Sequence, residues 1–118
     1  MAGMRWARLR MDLKLPMRRG AWYRIQELGT METIVEVNNA PLPVPSPYLQ
    51  IVDTPPREWT VVPRPPGVLR IPEKWTRYFV CPSCQERVLV ERRPSVMQCP
   101  RCNGTFDVAW DEPYEFDL

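Results

Sequence analysis

The chain has no histidine. That removes the commonest general acid–base group, and with it every Ser–His or Cys–His nucleophile arrangement. Glycine is scarce as well: the five glycines stand apart and none belongs to a phosphate-cradling loop. No stretch approaches the ~18 consecutive apolar residues that span a bilayer. The N-terminus carries arginines but no apolar core of the kind an export signal needs. Neighbouring acids are confined to Asp111 and Glu112 and to Glu115 and Asp117, where they read as a solvated tail and not as a catalytic or Mg²⁺ pair. These absences predict a non-enzymatic, cytoplasmic protein with no small-molecule substrate and no membrane partner.

What is abundant is proline, fifteen in 118 residues. Each proline lacks an amide donor and clashes with the preceding helical turn, so long helices are excluded and short strands joined by stiff turns are favoured. Apolar content of 44% and charged content of 25% are those of an ordinary globular chain. The length allows one domain or two very small ones. Net charge is only +2, but it is polarised. Arg5, Arg8, Arg10, Lys14, Arg18, Arg19 and Arg24 crowd the start, whereas Asp107, Asp111, Glu112, Glu115 and Asp117 close the chain without a basic neighbour.

Residues 1–10 read as a basic arm. Five strand candidates follow within 11–65, namely Asp12–Leu15, Ala21–Leu28, Thr33–Asn39, Tyr48–Asp53 and Glu58–Val62, in which β-branched and aromatic residues are frequent. Gly29 is placed to take a positive φ in a tight connection. The run Ala40–Pro47, with proline at every second position, reads as an extended polyproline-like segment. Five strands in so short a span have the size of a small barrel and resemble an SH3-like barrel in architecture alone. Trp22, Tyr23, Ile25, Ile34, Val35, Val37, Leu49, Ile51, Trp59 and Val61 are its candidate core. A proline-rich linker, 66–76, follows as a semi-rigid spacer.

All four cysteines lie between Tyr78 and Trp110. Cys81-Pro82-Ser83-Cys84 and Cys99-Pro100-Arg101-Cys102 are two C-x-x-C turns separated by fourteen residues. Two intervening residues let one tight turn aim two thiolates at one point, and two such turns complete a tetrahedral cage. Strand-like segments flank both: Tyr78–Val80, Arg87–Glu91, Val96–Gln98 and Thr105–Trp110. Two other uses stay open. A redox dithiol wants its C-x-x-C at a helix N-terminus, which these flanks do not supply. Iron is held by the same donor set as zinc.

With these motifs, residues 77–110 resemble the zinc-ribbon family. The resemblance implies one structural Zn²⁺ per chain on Cys81, Cys84, Cys99 and Cys102, with a rubredoxin-like iron centre as the alternative. The family often has glycine after each pair. Here Gln85 and Asn103 stand there, and Gln85 predicts a strained or differently shaped first turn. The fold class expected is therefore mainly β, a small SH3-like barrel followed by a four-cysteine zinc ribbon, with few or no helices and an acidic tail over 111–118.

Zinc ribbons often serve transcription, replication and translation machinery, so the resemblance implies a nucleic-acid-associated adaptor. Arg92 and Arg93 at an expected hairpin tip, Arg101 inside the second turn, and Arg18 and Arg19 ahead of Trp22 and Tyr23 are the candidate contacts, through guanidinium–phosphate pairing and aromatic stacking. The other reading is a structural or protein-interaction subunit of a larger complex. Its docking surfaces would be the basic arm, the proline run and the tail residues Tyr114, Phe116 and Leu118.

Overall fold

The computed structural model describes residues 4–11, 14–64, 76–112 and 114. The fold is mainly β, with a single 3-10 turn among the described residues. The chain divides into two compact units, one running to Pro56 and the other beginning at Arg57.

The first unit is a five-stranded antiparallel sheet. Its strands are β1 (Trp6–Leu9), β2 (Tyr23–Glu27), β3 (Glu32–Val37), β4 (Ala40–Pro45) and β5 (Leu49–Val52), in the order β4-β3-β2-β1-β5. The 3-10 turn Ser46–Tyr48 leads into β5, and β1 to β4 form an antiparallel meander with β5 on the far side of β1. Alternation drives it: β3 places Thr33, Val35 and Val37 inside and Glu32, Ile34 and Glu36 towards the outer face. Ala7, Leu9, Met17, Ala21, Trp22, Tyr23, Val44 and Leu49 complete this core. Ile25, Ile34 and Ile51, expected there, are only half-buried.

Several expectations change here. Of the arm expected over 1–10, the described residues include Trp6–Leu9, which is a strand hydrogen-bonded on both sides, to β2 and to β5; residues 1–3 lie outside the described residues. Of the strand expected over Asp12–Leu15, the described Lys14 and Leu15 are bends, and the rest lies outside the described residues. The proline run is a β-strand, not a polyproline helix. Asn38 and Asn39, with φ of 53° and 63°, make a two-residue turn that folds β4 back on β3. Asparagine tolerates this left-handed backbone better than most residues. Gly29 is needed for a different reason from the one expected. It does not take a positive φ; a Cβ there would collide with the Glu32 carbonyl oxygen. The turn is closed by Ser46, whose hydroxyl donates to the Gly29 carbonyl at 2.6 Å and lies 2.7 Å from the Thr33 hydroxyl.

The second unit is another five-stranded sheet, of β6 (Glu58–Pro63), β7 (Arg77–Val80), β8 (Arg87–Leu89), β9 (Val96–Gln98) and β10 (Thr105–Val108), ordered β8-β7-β6-β10-β9. The strand expected over Glu58–Val62 forms, but in this sheet and not in the barrel. It pairs antiparallel with β7 and parallel with β10. As the central strand it is buried on both faces from Trp59 to Val62. Trp59 and Val61 therefore belong to the second core. The 66–76 linker lies outside the described residues, apart from Thr76, whose carbonyl accepts from the Arg64 N–H at 2.9 Å.

Candidate metal centre

Two hairpins, β7–β8 and β9–β10, each use one cysteine turn as their connection. The turns match position by position. In the first, Cys81 N–H donates to the Glu86 carbonyl at 2.9 Å and Gln85 N–H to the Cys81 carbonyl at 3.2 Å. In the second, Cys99 N–H donates to Gly104 at 2.8 Å and Asn103 N–H to Cys99 at 3.0 Å. Ser83 N–H and Arg101 N–H each reach the sulfur of their leading cysteine at 3.4 Å. Gln85 and Asn103 both take left-handed backbone, with φ of 64° and 63°. The first turn is therefore shaped like the second, and Gln85 bears the conformation that glycine would adopt without strain.

The four sulfurs lie within 4.8 Å of one another. Cys81 Sγ is 3.7 Å from Cys102 Sγ, and Cys84 Sγ is 3.6 Å from Cys99 Sγ. A disulfide has its sulfurs ~2.05 Å apart, so these are free thiols. A tetrahedron with metal–sulfur bonds of ~2.3 Å has sulfur–sulfur edges of ~3.8 Å. The cysteines are thus spaced as the corners of a metal site, and the donor set fits a thiophilic metal ion.

The turns meet here because the sheet beneath them is packed. Cys81 and Cys99 are fully buried in one cluster with Trp59, Val61, Phe79 and Val108. Trp59 sets its edge on Phe79 at 6.2 Å between centroids, and Phe79 meets Trp110 edge-on at 5.5 Å. Trp59 Nε1 donates to the Met97 carbonyl at 2.9 Å, tying the central strand to β9 beyond its neighbour β10. Gly104 lets the Phe106 ring lie against the second turn, since a Cβ there would stand 2.6 Å from that ring.

Electrostatics grade the thiols. Burial pushes Cys81 well above its ordinary value, against the pull of the Cys84 and Ser83 N–H groups. Burial also raises Cys84, opposed by the Glu86 N–H. Cys102 is exposed and is held below its ordinary value, chiefly by the Gly104 N–H. Backbone donors aimed at sulfur stabilise thiolate, the form that binds metal.

The other candidate residues fare differently. Arg92 and Arg93 do not sit on a hairpin tip. β8 and β9 are opposite edges of the sheet, so residues 90–95 form a crossover between them. Trp110 holds that crossover, with its Nε1 donating to the Pro94 carbonyl at 2.6 Å and the Arg93 guanidinium 4.6 Å over its ring. Arg92 and Arg101 are exposed. Arg18 and Arg19 are half-buried in the first unit, and the Arg18 N–H donates to the Tyr23 hydroxyl at 2.7 Å. Trp22 and Tyr23 are core residues and offer no stacking face. Tyr114 is buried, and its N–H donates to the Val61 carbonyl at 3.3 Å, so it anchors the second unit rather than a partner. Phe116 and Leu118 lie outside the described residues. The residues missed were Trp110 and Met97, whose positions beside the cysteine turns gave no motif but whose aromatic or carbonyl partners hold the crossover and β6. No helix among the described residues is long and apolar enough to cross a membrane.

Comparison with known proteins finds no matching family model, no matching curated protein and no matching solved structure.

Proposed function

We propose that the chain is a non-enzymatic zinc-binding module in which one Zn²⁺ per chain, held by Cys81, Cys84, Cys99 and Cys102, stabilises the second unit and the surrounding surface does the binding. The observation that carries this reading is the placement of Cys81 and Cys99, fully buried in the cluster with Trp59 and Phe79. A metal there is part of the core. Four thiolates also close the coordination shell, leaving no position for substrate or water. So small a unit gains much of its folding free energy from the ion. The test is metal analysis of the purified chain, followed by chelation. The reading expects a colourless protein with one zinc and loss of the second sheet on chelation. A coloured thiolate–iron chromophore points instead to electron transfer, and a second sheet indifferent to chelation removes the structural role.

The surface function we infer is that of a nucleic-acid-associated adaptor. Its support is that Arg92 and Arg101 are exposed in the ribbon unit, where guanidinium groups are free to pair with phosphates. Binding of DNA or RNA is expected to fall steeply with salt and to weaken when Arg92 and Arg101 become alanine. No binding at low salt to single- or double-stranded probes ends this reading. The burial of Trp22 and Tyr23, which removes a base-stacking platform, favours the second reading, a structural or protein-interaction subunit of a larger complex. A stoichiometric protein partner captured without nucleic acid distinguishes it.

A further inference from the structure

Two demands of the second cysteine turn put asparagine and glycine side by side. Position 103 takes left-handed backbone, with φ of 63°, which asparagine tolerates better than most residues. Position 104 has no room for a side chain, because a Cβ would stand 2.6 Å from the Phe106 ring. Asparagine is chemically labile, and most so before glycine. The following backbone nitrogen attacks the side-chain amide, and glycine puts no Cβ in its way. The first turn meets the same backbone demand with Gln85, φ 64°, whose longer side chain would have to close a larger ring.

Asn103 is exposed. Its N–H donates to the Cys99 carbonyl at 3.0 Å and its carbonyl accepts from Gln98 Nε2 at 3.3 Å. Its side-chain amide has no hydrogen-bond partner among the described residues. What the turn holds is the nucleophile. The Gly104 N–H donates to the Cys102 sulfur, and the Gly104 carbonyl accepts from the Cys99 N–H at 2.8 Å. While the turn is closed, the attacking nitrogen is directed at sulfur and away from the amide it would attack.

Given zinc on the four cysteines, the reading on which this rests, we propose that Asn103-Gly104 is a deamidation site guarded by the metal. The loaded turn is stable; a chain that loses its metal converts Asn103 to aspartate and isoaspartate and does not reload. In the step, the Gly104 nitrogen bonds to Asn103 Cγ, the bond from Cγ to the amide nitrogen breaks, and ammonia leaves with the Gly104 amide proton. Water then opens the succinimide at either carbonyl and leaves a carboxylate. Isoaspartate lengthens the backbone between the two hydrogen bonds that shape the turn, and either product sets a negative charge beside the Cys102 thiolate. The reaction runs through local opening. Zinc at about 100 times its Kd, bound only by the closed turn, lowers the open population about 100-fold.

The test incubates the full chain at neutral pH in a reducing buffer, with excess zinc or with a chelator. Peptide mapping that separates the asparaginyl, aspartyl and isoaspartyl forms reads position 103, and zinc titration after the chelator is removed reads reloading. The expected result is conversion about tenfold or more faster without zinc, with reloading lost in step. Asn38 and Asn39, which precede Asn39 and Ala40, are expected to lag behind Asn103. Asn103→Gln, which gives the second turn the residue the first already carries, is expected to reload after the same treatment. If that variant binds no zinc at the outset, the wild-type rates decide. Equal rates with and without zinc, in a chain that binds zinc, overturn the guard and leave the zinc reading standing. A chain that takes up no zinc overturns both. Reloading lost as fast in a zinc-binding Asn103→Gln as in the wild type also overturns the proposal.

Discussion

Replacing Trp59 by phenylalanine tests whether the central strand of the second sheet belongs to the metal centre. Trp59 is fully buried, donates Nε1–H to the Met97 carbonyl at 2.9 Å and packs edge-on against Phe79. Phenylalanine keeps an aromatic ring but loses the donor, which removes a net ~1 kcal/mol and leaves the Met97 carbonyl without its partner. The smaller ring also leaves space in a cluster that includes Cys81 and Cys99; partial loss of a buried aromatic adds ~1–2 kcal/mol. The sum is about 2–3 kcal/mol. Where metal binding and folding of a unit are one equilibrium, that loss appears in the affinity. At 1.4 kcal/mol per factor of ten, it corresponds to zinc binding weaker by about 30- to 150-fold. Competition against a chelator of known affinity reads this directly. An affinity unchanged within a factor of about three would show that Trp59 does not support the cage, and the placement of β6 in the ribbon unit would have to be abandoned.

Other substitutions probe the turns. Gln85→Gly relieves a left-handed backbone at φ 64° and is expected to raise the melting point of the zinc-loaded chain, by ~0.5–1 kcal/mol of stability; a lower melting point contradicts backbone strain at this position. Asn103→Ala, at φ 63°, is expected to lower it by a similar amount, since alanine tolerates this region less well than asparagine. Gly104→Ala puts a methyl 2.6 Å from the Phe106 ring and 3.5 Å from Cys102 Sγ. It is expected to destabilise the second unit by ~1–3 kcal/mol, seen as faster chelator-driven zinc loss. Burial in the folded unit raises the Cys81 and Cys84 thiols, so their protons are held at neutral pH until metal binding displaces them. Affinity therefore falls as pH falls. Calorimetry in buffers of different ionisation enthalpy should count release of the Cys81 and Cys84 protons at the least.

The sequence carries the metal centre almost whole. Two C-P-x-C turns state their chemistry locally, because a turn of four residues positions two sulfurs without help from the rest of the chain. The mainly β fold is legible for a similar reason, since proline excludes helices wherever it falls. What is hidden depends on pairing across long separations. Glu58–Val62 has the composition of a strand, but nothing in EWTVV says whether it joins Tyr78–Val80 and Thr105–Val108 or the strands before it. The prolines over Ala40–Pro47 suggest a polyproline helix, although a period of two also suits an edge strand whose outward N–H groups are dispensable. The Asn38-Asn39 pair, able to take positive φ, is the signal that separates these readings. Trp6–Leu9 is too short to announce itself, and it forms because β2 and β5 enclose it. Arg92 and Arg93 fall between two strand-like segments and so suggest a hairpin tip, which the strand order β8-β7-β6-β10-β9 replaces with a crossover.

The central claim is that four thiolates, and nothing else, hold a zinc ion inside the second core. X-ray absorption at the metal edge of the chain as purified tests it most directly. The account predicts a zinc edge and a single shell of four sulfurs at ~2.3 Å, with no nitrogen or oxygen neighbour. A shell of fewer sulfurs completed by lighter atoms, or an iron edge in place of zinc, would contradict it.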